Sequence, residues 1–227
     1  MAGREGDNLP VADYRVSGIP STFSECYYSI MFERQKFLDA VKTELEPNIF
    51  KHSLVVEACM GAIYDYLQAQ GSLDTNGETR EEWTMAGLIH DIDYSNEHKS
   101  EHPKKTREVL AKYGLEISDK VDAIVKAHAP ELTGVQPQSK AQWAIFCVDS
   151  LTGLITAVAY VYPSKKLADV KVSSVLKRFL KEPKFAAGTR REEVALCAKP
   201  EGLNIPLEKF IEINLLAMQA ISSEIGL

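Results

Sequence analysis

The sequence predicts an all-α fold, and three observations predict it. Apolar residues recur at three- and four-residue spacing in one segment after another. No segment shows the convincing period-two alternation of a half-buried strand, and no repeat or low-complexity tract is visible. Gly71, Gly114, Pro130 and Pro163 fall where helical patterns stop. The 227 residues suffice for one sizeable domain with an elaborated end. Hydrophobic residues make up 45% and charged residues 26%, an ordinary soluble composition.

The elements follow in chain order. Residues 1–22 lack periodicity and read as an irregular arm. Phe23 to Glu46 is helical, in one or two pieces, ending before Pro47. From Ile49 to Gln70, Leu54, Ala58, Gly61, Ala62 and the Tyr64–Leu67 pair mark a strong helix, and Gly71 stops it. Arg80 to Ile92 is helical, whereas Tyr94 to Glu101 is a polar loop. Pro103 suits the first turn of a helix running to about Tyr113. Ser118 is an N-cap for a helix reaching about His128. Lys140 to Tyr162 is long, apolar and helical. Shorter helices are expected at Ser173 to Leu180 and Arg190 to Ala198. Pro206 starts a final helix whose apolar stripe is Phe210, Ile213, Leu216, Ala217, Ala220 and Ile221. Residues 23–227 then form a single domain, with a core over about 49–162 and a C-terminal helical extension over 163–227.

Net charge is −6. That argues against general nucleic-acid binding, which needs a basic footprint. Residues 164–191 nevertheless hold nine basic residues against two acidic ones, Asp169 and Glu182. Charges interrupt the longest apolar stretches, so no segment is expected to span a membrane. No signal-peptide pattern opens the chain, and the protein is expected to be cytoplasmic. Cys26, Cys59, Cys147 and Cys197 form no CxxC pair and read as buried free thiols.

The doublet His90-Asp91 ends the apolar run Trp83 to Ile89. His52 lies on an earlier amphipathic stretch and Asp149 inside a later one. Imidazole and carboxylate at the buried end of a helix are costly unless paired or bound to metal. Three apolar segments carrying such groups point to one shared internal site. Imidazole and carboxylate suit zinc, manganese, iron or similar ions. The absence of nearby cysteines disfavours a structural zinc cluster. A bound cation would lower the pKa of its water and make hydroxide available near neutral pH. The HxxEH-like string His98 to His102 is polar and runs into Pro103, so it is not read as a helical zinc motif. Asp74 to Gly77 lacks the alternating ligands of a calcium loop.

The order His, His-Asp, Asp on separate helices resembles the HD superfamily of metal-dependent phosphohydrolases. The likeness runs from about Lys51 to Met218. It is carried by Ala86-Gly87-Leu88-Ile89-His90-Asp91-Ile92-Asp93-Tyr94 and by Asp149-Ser150-Leu151-Thr152-Gly153-Leu154-Ile155. Ser174-Val175-Leu176-Lys177-Arg178 and Lys184-Phe185-Ala186-Ala187-Gly188 resemble one branch of predicted hydrolases. The resemblance implies an HD-type helical bundle with additional C-terminal helices. It implies that His52, His90 and Asp149 hold a metal and that Asp91 bridges or orients a hydroxide. In two-metal versions His102 and His128 hold the second ion. One or two divalent ions per chain are expected: manganese, iron, zinc, cobalt or nickel, with magnesium admissible. Asp93 reads equally as a supporting carboxylate or general acid and as a helix-end turn residue. Tyr94 stands where some branches place a lysine. Lys105, Lys177 or Arg190 could clamp phosphate.

The expected activity is hydrolysis of a phosphate ester of a small nucleotide or phosphorylated metabolite. A di-iron oxygenase cleaving a C–C or C–P bond with O₂ is the alternative from another reaction class, and a non-catalytic sensor the third. Neither a nucleic-acid nor a membrane partner is expected, and the sequence does not fix the oligomeric state.

Overall fold

The computed structural model describes residues 21–74 and 77–227. The chain falls into two units, residues 1–35 and 36–227, and the site described below lies wholly in the second. Among the described residues the secondary structure is helical, with eleven α-helices, three short 3₁₀ helices and no strand. The arm expected over residues 1–22 lies outside the described residues up to residue 20, and Ser21 opens the first helix, α1 (Ser21–Glu44). In its second half Phe37, Ala40 and Val41 are buried one helical turn apart, with Leu45 just beyond its end.

Four helices make the core of the second unit. They are α2 (Pro47–Ala69), α3 (Arg80–Ile89), α5 (Asp119–Ala127) and α7 (Lys140–Val161). Pro47 opens α2, where its missing N–H costs nothing. Gly71 follows it with φ +62°, a conformation that favours glycine. Capping boxes open α3 (Thr79 with Glu82) and α7 (Ser139 with Gln142), and Ser118 caps α5. Helix α2 packs on α3 and α7, α3 on α5, and α5 on α7. The α2–α3 contact is unusually close at Gly87. A Cβ there would sit 2.9 Å from Glu57 Cα and 3.0 Å from Val56 O, both backbone atoms that cannot step aside.

Around this core lie α4 (Thr106–Ala111), α6 (Pro130–Thr133), α8 (Val172–Lys181), α9 (Arg191–Ala195), α10 (Leu207–Ala220) and α11 (Ser222–Ile225). Helix α9 packs on α7, and α10 on α2 and α8. Helix α7 is long and apolar enough to cross a membrane by length and composition, a point the charge-interruption reading overlooked. Its apolar residues are used inside the protein, where Ile145, Val148, Leu151, Ile155 and Val158 are fully buried.

Three sequence expectations need correction. The helix expected from Pro103 begins only at Thr106: Lys105 is its N-cap, with φ −107° and ψ 4°, and its carbonyl accepts from Val109 N at 2.9 Å. The loop expected at Tyr94 to Glu101 contains a 3₁₀ helix, Asn96–Glu101. The buried face of α10 is Phe210, Ile211, Asn214, Leu215 and Met218, and Leu216 is exposed. Asn214 turns that face inward: its side chain donates to Phe210 O at 2.7 Å, so a polar residue occupies the core position.

Candidate metal centre

Six side chains from five regions converge. His52 projects from α2 and Asp149 from the middle of α7. His90 caps the C-terminus of α3, with Asp91 next to it, and His128 caps that of α5. His102 follows the 3₁₀ helix. His52 Nε2 lies 2.9 Å from Asp149 Oδ1, 3.3 Å from His90 Nε2 and 3.7 Å from Asp91 Oδ2. His90 Nε2 is 3.4 Å from the same Asp91 oxygen. The other oxygen, Oδ1, is 3.4 Å from His102 Nε2, which is 3.0 Å from His128 Nε2. Two groups suited to a cation result: His52, His90 and Asp91, and Asp91, His102 and His128. Asp91 belongs to both and turns one oxygen to each.

The outward ring nitrogens decide what the inward ones are. His90 Nδ1 donates to Gly87 O at 2.8 Å and His128 Nδ1 to Val125 O. His102 Nδ1 donates to Asp93 Oδ1 at 2.7 Å. His52 Nδ1 donates to Thr152 Oγ1 at 3.3 Å, and that hydroxyl is itself spent on Asp149 O at 2.7 Å. Each neutral imidazole has one N–H, so all four Nε2 atoms present lone pairs inward. Lone pairs facing each other at 3.0 and 3.3 Å, and facing carboxylate oxygens, repel unless a cation or an added proton lies between them. The donor set therefore fits metal ions that favour nitrogen and oxygen ligands.

The electrostatics agree. Burial would raise the pKa of Asp91, but His90 and His52 outweigh it and hold the carboxyl well below the usual range. For Asp149 burial is likewise outweighed, by His52 and then His90. His128 is pushed down to about 4, by burial first and by His90 next. His90 goes the other way, up to about 9: burial opposes the shift, and Asp91 and then Asp149 overcome it. A proton on His90 thus fills in for positive charge that the two carboxylates demand.

The remaining candidates separate. Asp93 is fully buried and faces the back of His102, its second oxygen accepting from the Lys105 amide at 2.7 Å. Both oxygens are engaged, one by the His102 ring and one by the Lys105 amide. The Lys105 ammonium is paired with Glu108 at 2.7 Å. Lys177 is exposed, 3.7 Å from Glu182, and contacts none of the six residues. Arg190 does reach the cluster. Its Nη2 donates to Asp149 Oδ2 at 2.9 Å and to His128 O at 3.5 Å, its Nε to Ser150 Oγ at 3.2 Å and its Nη1 to Glu131 Oε1 at 3.3 Å. The loop that delivers it is gathered around Arg191, which donates to Phe179 O, Glu182 O, Phe185 O and Ala186 O.

Sequence reasoning missed Thr152 and Glu131. Thr152 was findable, because it lies one helical turn after Asp149 and so on the same face. Glu131 carried no signal. A cavity of about 220 Å³ lies elsewhere, between Tyr64, Trp83, Glu78 and Lys140, and includes none of the six.

Residues 49–153 match the HD domain family. That span contains all six converging side chains and ends before Arg190. No curated protein and no solved structure matches the chain.

Proposed function

Taking as premise that the chain carries an HD domain, we propose that it is a metal-dependent phosphohydrolase. It would act in the cytoplasm on a phosphate ester of a small nucleotide or phosphorylated metabolite. The family is largely one of metal-dependent phosphohydrolases. The observation that carries the reading is the pair of ligand groups sharing Asp91, with four imidazole lone pairs turned inward. His52, His90, Asp91 and Asp149 would hold one divalent ion, and Asp91, His102 and His128 a second.

Ions bound there supply Lewis acidity toward a phosphoryl group and a water of lowered pKa. The chain's own residues do the rest. Asp91 spans both groups and fixes their spacing. The Gly87, Val125 and Thr152 oxygens lock three imidazoles in the tautomer that leaves Nε2 free. Asp149, held by Arg190 through Oδ2, keeps Oδ1 toward His52. Arg190, partly exposed and paired with Asp149, would add positive charge where an anionic substrate gathers.

The test is phosphate release from a panel of phosphate esters by metal-stripped protein, with manganese, iron, zinc, cobalt, nickel or magnesium restored. Release that requires added metal and disappears in His90→Ala is expected. A metal-loaded protein that releases phosphate from no ester would overturn the reading. The same shared carboxylate also suits a di-iron oxygenase, and O₂ consumption by the iron-loaded protein would identify that chemistry.

A further inference from the structure

We propose that Asp93 is the positioning residue of the second ligand group and sets how tightly that group holds its ion. The proposal rests on the two-ion reading above. Asp93 is fully buried, a costly place for a carboxylate without partners. Its two oxygens are matched one to one, with the His102 ring N–H and the Lys105 amide N–H, each at 2.7 Å.

This arrangement sets His102 apart from the other three histidines. Their Nδ1 atoms donate to neutral oxygens, those of Gly87, Val125 and Thr152. A carboxylate behind an imidazole both orients the ring and makes its free nitrogen more basic. The second group is the one that needs such help. The first draws on two carboxylates, Asp91 and its near neighbour Asp149, whereas the second has Asp91 alone. Asp93 restores the missing negative charge from behind the ring.

It also supplies mechanical support. His102 sits on no helix, between the 3₁₀ helix and α4, and its backbone is extended at φ −53°, ψ 139°. By binding both the ring and the Lys105 amide, Asp93 ties this connection together twelve residues away in sequence. Without it the imidazole would be positioned only by a short, non-helical stretch.

The test compares Asp93→Asn and Asp93→Ala with the wild type. Full-length protein is stripped with chelator and titrated with Mn²⁺ by calorimetry. Electron paramagnetic resonance reports whether the bound ions are coupled, and circular dichroism reports folding. Wild type is expected to take two ions and show a coupled pair. Both variants should keep one ion at near wild-type affinity, bind the second about 10- to 100-fold more weakly, and show an isolated Mn²⁺ signal. The near-isosteric asparagine decides the matter if alanine fails to fold. Unchanged binding of the second ion, or equal weakening of both, would overturn the proposal. A wild type that takes a single ion at saturation overturns the two-ion reading and this proposal with it. A wild type that takes none sinks the metal-dependent function itself, a separate outcome.

Discussion

The two ligand groups use similar donors but are assembled in different ways. The first joins His52, His90 and Asp149, which are 38 and 97 residues from His52 in sequence. Helix packing brings them together, and the α2–α3 approach at Gly87 sets how near they come. The second joins Asp91 and His102 through Asp93 and Lys105 in one short stretch, with His128 at the end of the nine-residue helix α5. One group inherits its geometry from the core, the other from local hydrogen bonds. The difference teaches that a site with one chemistry can have two sources of rigidity, separable by mutation.

Asp91 is where the comparison should break first. Because it faces both groups, Asp91→Ala is expected to lose both ions and all hydrolysis, checked by elemental analysis and activity of the folded variant. His128→Ala should lose only the second ion. Equal metal content in wild type and Asp91→Ala would end the shared-carboxylate account.

Next in size is the pH dependence of the metal-stripped protein, which sets one group against the other. His90 belongs to the first group and its folded pKa is raised to about 9. Its contribution is fully present below the unfolded value near 6.5 and is lost as pH rises through 9. His128 belongs to the second and its folded pKa is lowered to about 4. The unfolded chain then takes up the proton first, so stability falls as pH drops from about 6.5 toward 4. Each shift corresponds to about 3 kcal/mol at about 1.36 kcal/mol per unit. Thermal melts of stripped protein should therefore peak between these limits, near pH 6.5. Metal should flatten the profile, since an ion replaces the proton. A stripped protein whose stability climbs steadily from pH 6.5 to 9 would contradict the assignment for His90.

Gly87→Ala probes the first group alone. The added methyl would meet backbone on α2 at 2.9 Å, and overpacking of this kind costs about 1–3 kcal/mol. Denaturant unfolding should show that loss, and titration should show weakening of the first ion more than the second. Weakening confined to the second ion would reverse the comparison.

What was legible in the sequence follows the same division. His52, His90, Asp91 and Asp149 stand out because each breaks an apolar helical pattern, and periodicity is what a sequence displays best. His102 breaks no pattern. It sits in a polar stretch beside Pro103, and its place depends on a hydrogen bond to Asp93 that spacing does not encode. The start of α4 was misread because a proline suits a first turn without fixing it, and here the helix opens after Lys105, whose φ of −107° and ψ of 4° are not helical. The α10 face was misassigned because Asn214 is polar yet buried, its Nδ2 donating to Phe210 O one turn before it. Arg190 could be suspected as a cation, but nothing distinguished it from Lys177 until the loop around Arg191 was seen to place it.

Those two cations give the smallest effects, and they test whether the groups are tied together anywhere besides Asp91. Arg190 touches Asp149 of the first group and the backbone of His128 in the second. Arg190→Lys keeps the charge and loses the fork that reaches several acceptors at once. Because the net charge near the ions is unchanged, any loss reports geometry rather than field. It should lower kcat/KM about tenfold and weaken both ions together, as a change behind the ligands does. Weakening of one ion only would mean that Arg190 serves a single group. Lys177→Ala should change neither activity nor metal binding. Its stability should stay within about 0.5 kcal/mol of wild type, because an exposed pair such as Lys177–Glu182 contributes little. A Lys177 effect as large as that of Arg190 would move the anion-binding side of the site onto α8 and away from the carboxylates of the first group.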